Sequence, residues 1–238
     1  MKKYIIFLIL LASIGCEPTG PKYEPEPNVV AVLNASLERQ KVFVGTSYKL
    51  SEIPDTSDWC GVSNALVTIS YDTIATTFYE LVDTPGVYVS ESLPVEPGRT
   101  YYLEVIYSDN KKVFGETTAP GAFEIITPAN GDTAKLEQEL KWEESLGAAS
   151  YFVYYRAGYF EGKDFRDLGL ITSTSFNSFY DRYGKLTVQL WACDSNYYDY
   201  YRARWGREPI ESYVHLTGGL GVFGSFTVTD SITIILWQ

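Results

Sequence analysis

Few side chains in this sequence have the types and spacing that nucleophilic or metal-dependent chemistry requires. His215 is the only histidine, which excludes any site that needs two imidazoles. Cys60 or Cys193 together with His215 would supply a nucleophile and its base. The residues around this histidine, Ser212–Leu216, nevertheless have the pattern of an ordinary strand or loop edge. We therefore predict no catalytic residues, no cofactor and no enzymatic activity.

Two segments match ligand-binding motifs only in part. Gly219–Gly224 fits the dinucleotide fingerprint letter for letter, but that chemistry needs a helix after the glycines, and β-rich residues follow here. The oxygen-bearing side chains of Asp194–Asp199 are spaced roughly as in a calcium-binding loop. The segment lacks the glycine and the distal glutamate of an EF-hand. We therefore predict that Gly219–Gly224 is a flexible or bulged start of a strand. We predict that Asp194–Asp199 is a capped turn that opens a short helix, and that it is not a metal site.

Aromatic residues and arginines concentrate in one segment of an unusually aromatic chain, which holds 20 Tyr, 12 Phe and 5 Trp. Tyrosine, tryptophan and arginine are enriched at binding hot spots, which favours a binding surface. The alternative is that half of these rings pack the segment onto its scaffold. The candidate surface comprises Tyr197, Tyr198, Tyr200, Tyr201, Arg202, Arg204 and Trp205.

The N-terminal residues predict how the chain is held in place. Met1-Lys2-Lys3 precedes the apolar run Tyr4–Ile14 and then Gly15-Cys16, which is the order of a secretion signal. The apolar run is shorter than the roughly 20 residues that span a bilayer. Ser13–Cys16 resembles the lipobox of bacterial lipoproteins, which implies a signal peptide at 1–15 and lipidation of Cys16. A plain secreted protein is the alternative.

Residues 16–28 follow as the lipidated cysteine and a proline-rich tether. Four prolines in this stretch favour extended polyproline II structure, which lifts the folded part off the lipid. Loss of residues 1–15 lowers the formal net charge from −11 to −13, because it removes Lys2 and Lys3 and no acidic residue. Because the chain is this acidic, we expect no nucleic-acid partner. Glu17 resembles the export type of lipoprotein sorting signal, which implies the outer membrane or cell surface.

Strands are predicted almost throughout the rest, because short runs of Val, Ile, Thr, Tyr and Phe are broken by Gly, Pro, Asn and Asp. We predict an all-β fold of two tandem immunoglobulin- or fibronectin III-like β-sandwich domains, at 29–118 and 122–238. The second contains a long insertion, 193–220, with a short helix over Asn196–Gly206. Cys60 and Cys193 fall in different domains, so buried thiols are favoured over a disulfide.

The chain contains, in this order, Gln40–Gly45, Pro97–Tyr101, Thr117–Gly121, Trp142–Ser145 with Gly147-Ala148, and Gly218–Ser225. Together these segments resemble a family of uncharacterised bacterial surface lipoproteins with a domain of unknown function. The resemblance implies an outer-membrane lipoprotein, often encoded near TonB-dependent receptors, with no established activity. Residues 123–194 also resemble a fibronectin type III domain, with Leu186 in the place of its conserved corner tyrosine and Tyr183 near enough to replace it.

The expected function follows from the anchor and the aromatic segment. We expect a non-enzymatic outer-membrane or surface lipoprotein that acts as a binding or accessory component. Its partner would be a membrane receptor, such as a TonB-dependent receptor, or another envelope assembly. The alternative is a carbohydrate- or peptide-binding module for nutrient uptake or adhesion, with a glycan or peptide as the ligand.

Overall fold

A computed structural model describes residues 23–48, 60–108, 110–157, 162–204 and 215–238. Within these ranges the chain is mostly β, and its sheets have a sandwich-like arrangement, which confirms the predicted fold class. The strands are β1 (Pro27–Asn34), β2 (Gln40–Thr46), β3 (Leu66–Tyr71), β4 (Ile74–Glu80), β5 (Val87–Ser90), β6 (Thr100–Tyr107), β7 (Lys111–Thr118), β8 (Ile125–Thr127), β9 (Thr133–Lys135), β10 (Glu139–Trp142), β11 (Ser150–Ala157), β12 (Gly162–Gly169), β13 (Ser173–Ser175), β14 (Gly184–Cys193), β15 (Leu216–Thr217), β16 (Leu220–Val228) and β17 (Ile232–Trp237).

The first sandwich consists of strands β1 to β7. Strands β1, β2 and β5 form one sheet, and β4, β3, β6 and β7 form the other. Strand β4 joins the two, because Ile74–Phe78 pair with β3 while Tyr79 and Glu80 pair with β5. Its core contains the alternate side chains of β6, Tyr101, Leu103 and Val105, as the sequence pattern predicts.

The hydroxyl of Tyr101 fixes the turn that precedes β6. It accepts a hydrogen bond from the Glu96 amide at 2.7 Å and donates to the Pro94 carbonyl at 3.0 Å. This is the geometry of a tyrosine corner, in which a strand tyrosine bonds to the backbone a few residues upstream. In the second sandwich Leu186, which stands in the place of the corner tyrosine, is fully buried, and the nearby Tyr183 is 56% exposed.

The second sandwich has the same division into three strands and four. Strands β8, β10 and β13 form one sheet, and β12, β11, β14 and β17 form the other, with β9 added at the free edge of β17. Trp142 of β10 is buried and meets the ring of Tyr151 edge-on at 5.6 Å. Leu186, Val188, Leu190 and Ala192 of β14 supply the facing side of this core.

Strand β16 belongs to both sandwiches. It runs parallel to β1, from Asn28 opposite Leu220 to Asn34 opposite Phe226, and its last three residues pair with β14. Strand β15, just before it, pairs with β7 at the edge of the other sheet of the first sandwich. Phe223 is fully buried in the first core. The segment that closes the first sandwich therefore lies within 122–238, the range predicted for the second domain.

Candidate functional site

A helix, α1 (Ser195–Arg204), lies where the two sandwiches meet, and it contains most of the candidate binding residues. It begins directly after Asp194, whose carboxylate accepts a hydrogen bond from the Tyr197 amide at 3.0 Å. A carboxylate in this position satisfies an amide that has no partner within the helix. The predicted cap and short helix are therefore confirmed, and the predicted helix end at Gly206 lies outside the described residues.

Asp194 also connects the helix to both sandwiches. Its carboxylate accepts hydrogen bonds from the Thr117 hydroxyl of β7 at 2.6 Å and from the Ser225 amide of β16 at 3.1 Å. The hydroxyl groups of Thr117 and Ser225 are 2.8 Å apart. Asp194 is only 5% exposed. Burial raises the pKa of its carboxyl above the ordinary value, although the three hydrogen bonds act in the opposite direction.

Two further features hold the first turn of α1 against β16. The side-chain amide of Asn196 donates to the carbonyls of Glu116 at 2.7 Å and Phe223 at 2.9 Å. A Cβ at Gly224 would lie 2.8 Å from the Tyr197 Cβ, so only glycine leaves room for the helix here. The start of α1 is thus attached to β7 and β16 as well as to β14.

The inner face of α1 packs on an aromatic cluster. The ring centroid of Tyr197 is 4.3 Å from that of Phe226, and Tyr201 meets Phe152 edge-on at 5.0 Å. Burial raises the pKa of Tyr197 to about 12. Phe152 in turn stacks on Phe165 at 4.6 Å. Tyr197 and Tyr201 therefore do the packing that the sequence left open as the alternative to binding.

The remaining candidate residues form the outer flank of α1, which we define as Tyr198, Tyr200, Arg202 and Arg204. Tyr200 and Arg202 are half-buried and Arg204 is exposed. Tyr198 is also half-buried, and one side of it packs against the cluster of Phe152, Cys193 and Phe226. The Arg202 guanidinium lies over the Tyr198 ring, 5.9 Å from its centroid. The structure thus places two tyrosines and two arginines on one accessible helix, and Trp205 lies outside the described residues.

A family model covers most of the described fold. The sequence model of the family described as Domain of unknown function (DUF4249) matches residues 20–232. The chain belongs to this family. The DUF4249 match includes the first sandwich, α1, the shared strand β16 and the second sandwich up to the start of β17, so the predicted insertion at 193–220 lies inside the matched range. No protein with curated annotation matches the chain.

Other predicted features of this DUF4249 chain are placed as follows. Cys60 is half-buried and Cys193 is buried, and no disulfide joins them. Burial raises the pKa of the Cys193 thiol, which disfavours the reactive thiolate. His215 contacts a carboxylate oxygen of Asp199 in α1 at 2.8 Å, so the histidine ties the region before β15 to the helix. Cys16 and the signal peptide at 1–15 lie outside the described residues.

The described ranges of this DUF4249 chain contain neither a metal-binding cluster nor a membrane-spanning helix. There, no three His, Cys, Asp or Glu side chains come together in a way that would hold a metal ion. In those same ranges, no helix has the length and apolarity that crossing a bilayer requires.

Thr117 and Ser225 were not identified from the sequence as partners of Asp194. Gly224 was the available signal, because glycine within a strand marks a close approach.

Proposed function

We propose that the protein is a lipid-anchored, non-enzymatic component of the bacterial outer envelope that binds a partner protein through the outer flank of α1. The observation that carries this proposal is the pairing of Tyr198 with Arg202 on a helix whose opposite face is fixed to both sandwiches. A surface held in place before binding loses little conformational freedom when the partner arrives.

The position of the tether supports a display role. The Tyr23 hydroxyl donates to the Ser47 hydroxyl at 2.7 Å, and the Glu26 amide donates to the same oxygen at 2.9 Å. The chain that follows Cys16 therefore joins the folded part at the start of β1. The other end of β1, Asn34, lies beside Phe226, which packs against α1. Eight extended residues cover about 25 Å, so α1 stands roughly that far above the tether.

The chemistry of the outer flank indicates the kind of partner. Tyrosine rings provide rigid amphipathic contact area, and arginine makes charge-assisted hydrogen bonds with carboxylates. Arg202 and Arg204 form a local basic spot on a chain whose formal net charge is −11. We therefore assign the partner to the proteins of the same envelope, with an acidic and aromatic contact surface. A TonB-dependent receptor is the leading candidate.

The proposal includes a structural similarity between the two sandwiches and fibronectin type III domains. Each sandwich sets a group of three strands against a group of four, before the added strands β9, β15 and β16 are counted, and Tyr101 forms a corner in the first. Domains of this architecture serve as spacers and binding modules in many surface proteins. The likeness supports a scaffold that presents α1 and assigns no ligand.

Capture of the partner from detergent-solubilised membranes tests the outer flank. Tyr198→Ala combined with Arg202→Ala should reduce capture at least about tenfold, because hot-spot side chains each contribute around 2 kcal/mol or more. The matched control is Tyr183→Ala combined with Arg166→Ala, which removes an exposed tyrosine and an exposed arginine from the second sandwich. Equal capture by the two double variants, with wild-type unfolding midpoints, would reject the outer flank as the contact surface.

A further inference from the structure

The segment Pro97–Tyr101 borders a second feature, an open cavity of about 570 Å³ on the first sandwich. The cavity lies between this segment and the turn that joins β3 to β4, and its lining includes Asp72, Glu96, Arg99 and Tyr102. The depression is wide open to solvent, so it has room for a small ligand that stays largely exposed when bound. It is separate from the outer flank of α1, so its role does not depend on the proposed partner.

Arg99, one of the residues that line this cavity, is held in place by its neighbours. Its guanidinium lies over the ring of the buried Tyr71, 4.8 Å from the centroid. It contacts a carboxylate oxygen of Glu96 at 2.9 Å and one of Asp72 at 3.9 Å. The arginine side chain remains 29% exposed. A guanidinium fixed by a ring below it and two carboxylates beside it needs little rearrangement to donate further hydrogen bonds.

The backbone around the arginine is equally well fixed. The Gly98 amide donates to the Ala119 carbonyl at 2.8 Å, and the Ala119 amide donates to the Arg99 carbonyl at 2.9 Å. Tyr101 secures the same turn from inside the core, through its bonds to Glu96 and Pro94. The cavity wall is therefore a rigid turn attached to the link between the two sandwiches.

The charges in the cavity disfavour an anion and are largely paired with one another. The Asp72 and Glu96 side chains are 69% and 53% exposed and would repel an anion, while Arg99 pairs with Glu96 and offsets part of the attraction that the two carboxylates would have for a cation. What fits is a molecule whose groups both donate and accept hydrogen bonds. Tyr102, 50% exposed at the cavity, offers a ring face to an apolar surface of the ligand.

We propose that this cavity is a binding site for a neutral sugar. Hydroxyl groups on neighbouring sugar carbons would accept from Arg99 and donate to Asp72 and Glu96, and the C–H face of the ring would rest on Tyr102. The size of the cavity accommodates one or two sugar rings. The proposal adds a small-molecule site to the first sandwich that is independent of the protein contact at α1.

Saturation-transfer difference NMR on the full mature chain in detergent micelles tests the site. The probes are neutral trisaccharides, namely maltotriose, cellotriose, laminaritriose and mannotriose, with trigalacturonate and a glucosamine trimer as the anionic and cationic arms. At least one neutral probe should bind. Tyr102→Ala and Asp72→Asn should each weaken that binding about tenfold or more. Both side chains are exposed, so neither variant should shift the thermal unfolding midpoint.

The control is Tyr183→Ala, which removes a tyrosine of similar exposure from the second sandwich and should leave sugar binding unchanged. Three results would overturn the proposal. One is the absence of a signal from every neutral probe up to about 10 mM, where even millimolar affinity is detectable. Another is binding confined to a charged probe. The third is a neutral-probe signal that survives Tyr102→Ala and Asp72→Asn at full strength.

Discussion

Asp194 is the residue on which the joint between the sandwiches depends most. It caps α1, bonds to β7 and β16, and is almost completely buried. A buried carboxylate is tolerated when hydrogen bonds satisfy its oxygens, and here three donors converge on it. Removal of the carboxylate would leave the Tyr197 and Ser225 amides and the Thr117 hydroxyl without this acceptor.

The first prediction concerns the pH dependence of stability at Asp194. Because burial raises the pKa of this carboxyl, the folded state holds the proton more tightly than the unfolded chain. Its contribution to stability is therefore present below the unfolded pKa of about 3.9 and is lost as pH rises through the higher folded value. Urea unfolding from about pH 4 to pH 8 should show the wild type losing stability relative to Asp194→Asn as pH rises.

Asp194→Asn is the suitable comparison, because it keeps the size of the side chain and removes the titration. A stability difference between the two proteins that stays constant, or that moves in favour of the wild type with rising pH, would contradict the assignment. Asp194→Ala should cost about 1–3 kcal/mol near pH 4, since it leaves buried donors without a partner, and this cost should shrink as pH rises.

The sequence identified part of this site, for a physical reason. A cap is a local feature, so Asp194 before a helical aromatic pattern could be recognised from its neighbours alone. Thr117 lies 77 residues away from Asp194, and nothing in its own surroundings marks a buried hydroxyl donor. The division of the tyrosines was also hidden, because Tyr197 and Tyr201 become packing residues only through contact with Phe226 and Phe152.

Among the elements, β16 has the largest consequence for the fold. It supplies a parallel neighbour to β1 and a buried phenylalanine to the first core, and it then pairs with β14 in the second sandwich. Local patterns can indicate a hairpin such as that of β6 and β7, because its two strands are adjacent in sequence. Parallel pairing between opposite ends of the chain has no local signal, so the double role of β16 was not predicted.

The second prediction tests β16 through Phe223. Phe223→Ala should destabilise the protein by about 3–5 kcal/mol, since this side chain is fully buried among residues of the first sandwich. The matched control is Phe114→Ala on β7, whose ring is 42% exposed, and its cost should stay within about 0.5 kcal/mol. Urea unfolding measures both. Similar costs for the two variants would mean that β16 does not complete the first core.

At the scale of the whole molecule, the structure connects the end where we propose the anchor to the surface where we propose the contact. The tether joins β1 through Ser47, β1 leads to the joint, and α1 lies at the joint with its outer flank accessible. The bonds of Asp194 and Asn196 attach the helix to strands of both sandwiches, so the surface moves with the body. Display at a membrane requires such a fixed surface together with a stable anchor.

The anchor is the central claim, and mass spectrometry of the N-terminal peptide from native membranes tests it most directly. We predict that the mature chain begins at Cys16 and carries acyl chains on that residue, because stable anchoring needs more than one chain. Extraction should require detergent. A mature product with an unmodified Cys16, recovered in the soluble fraction without detergent, would contradict the account.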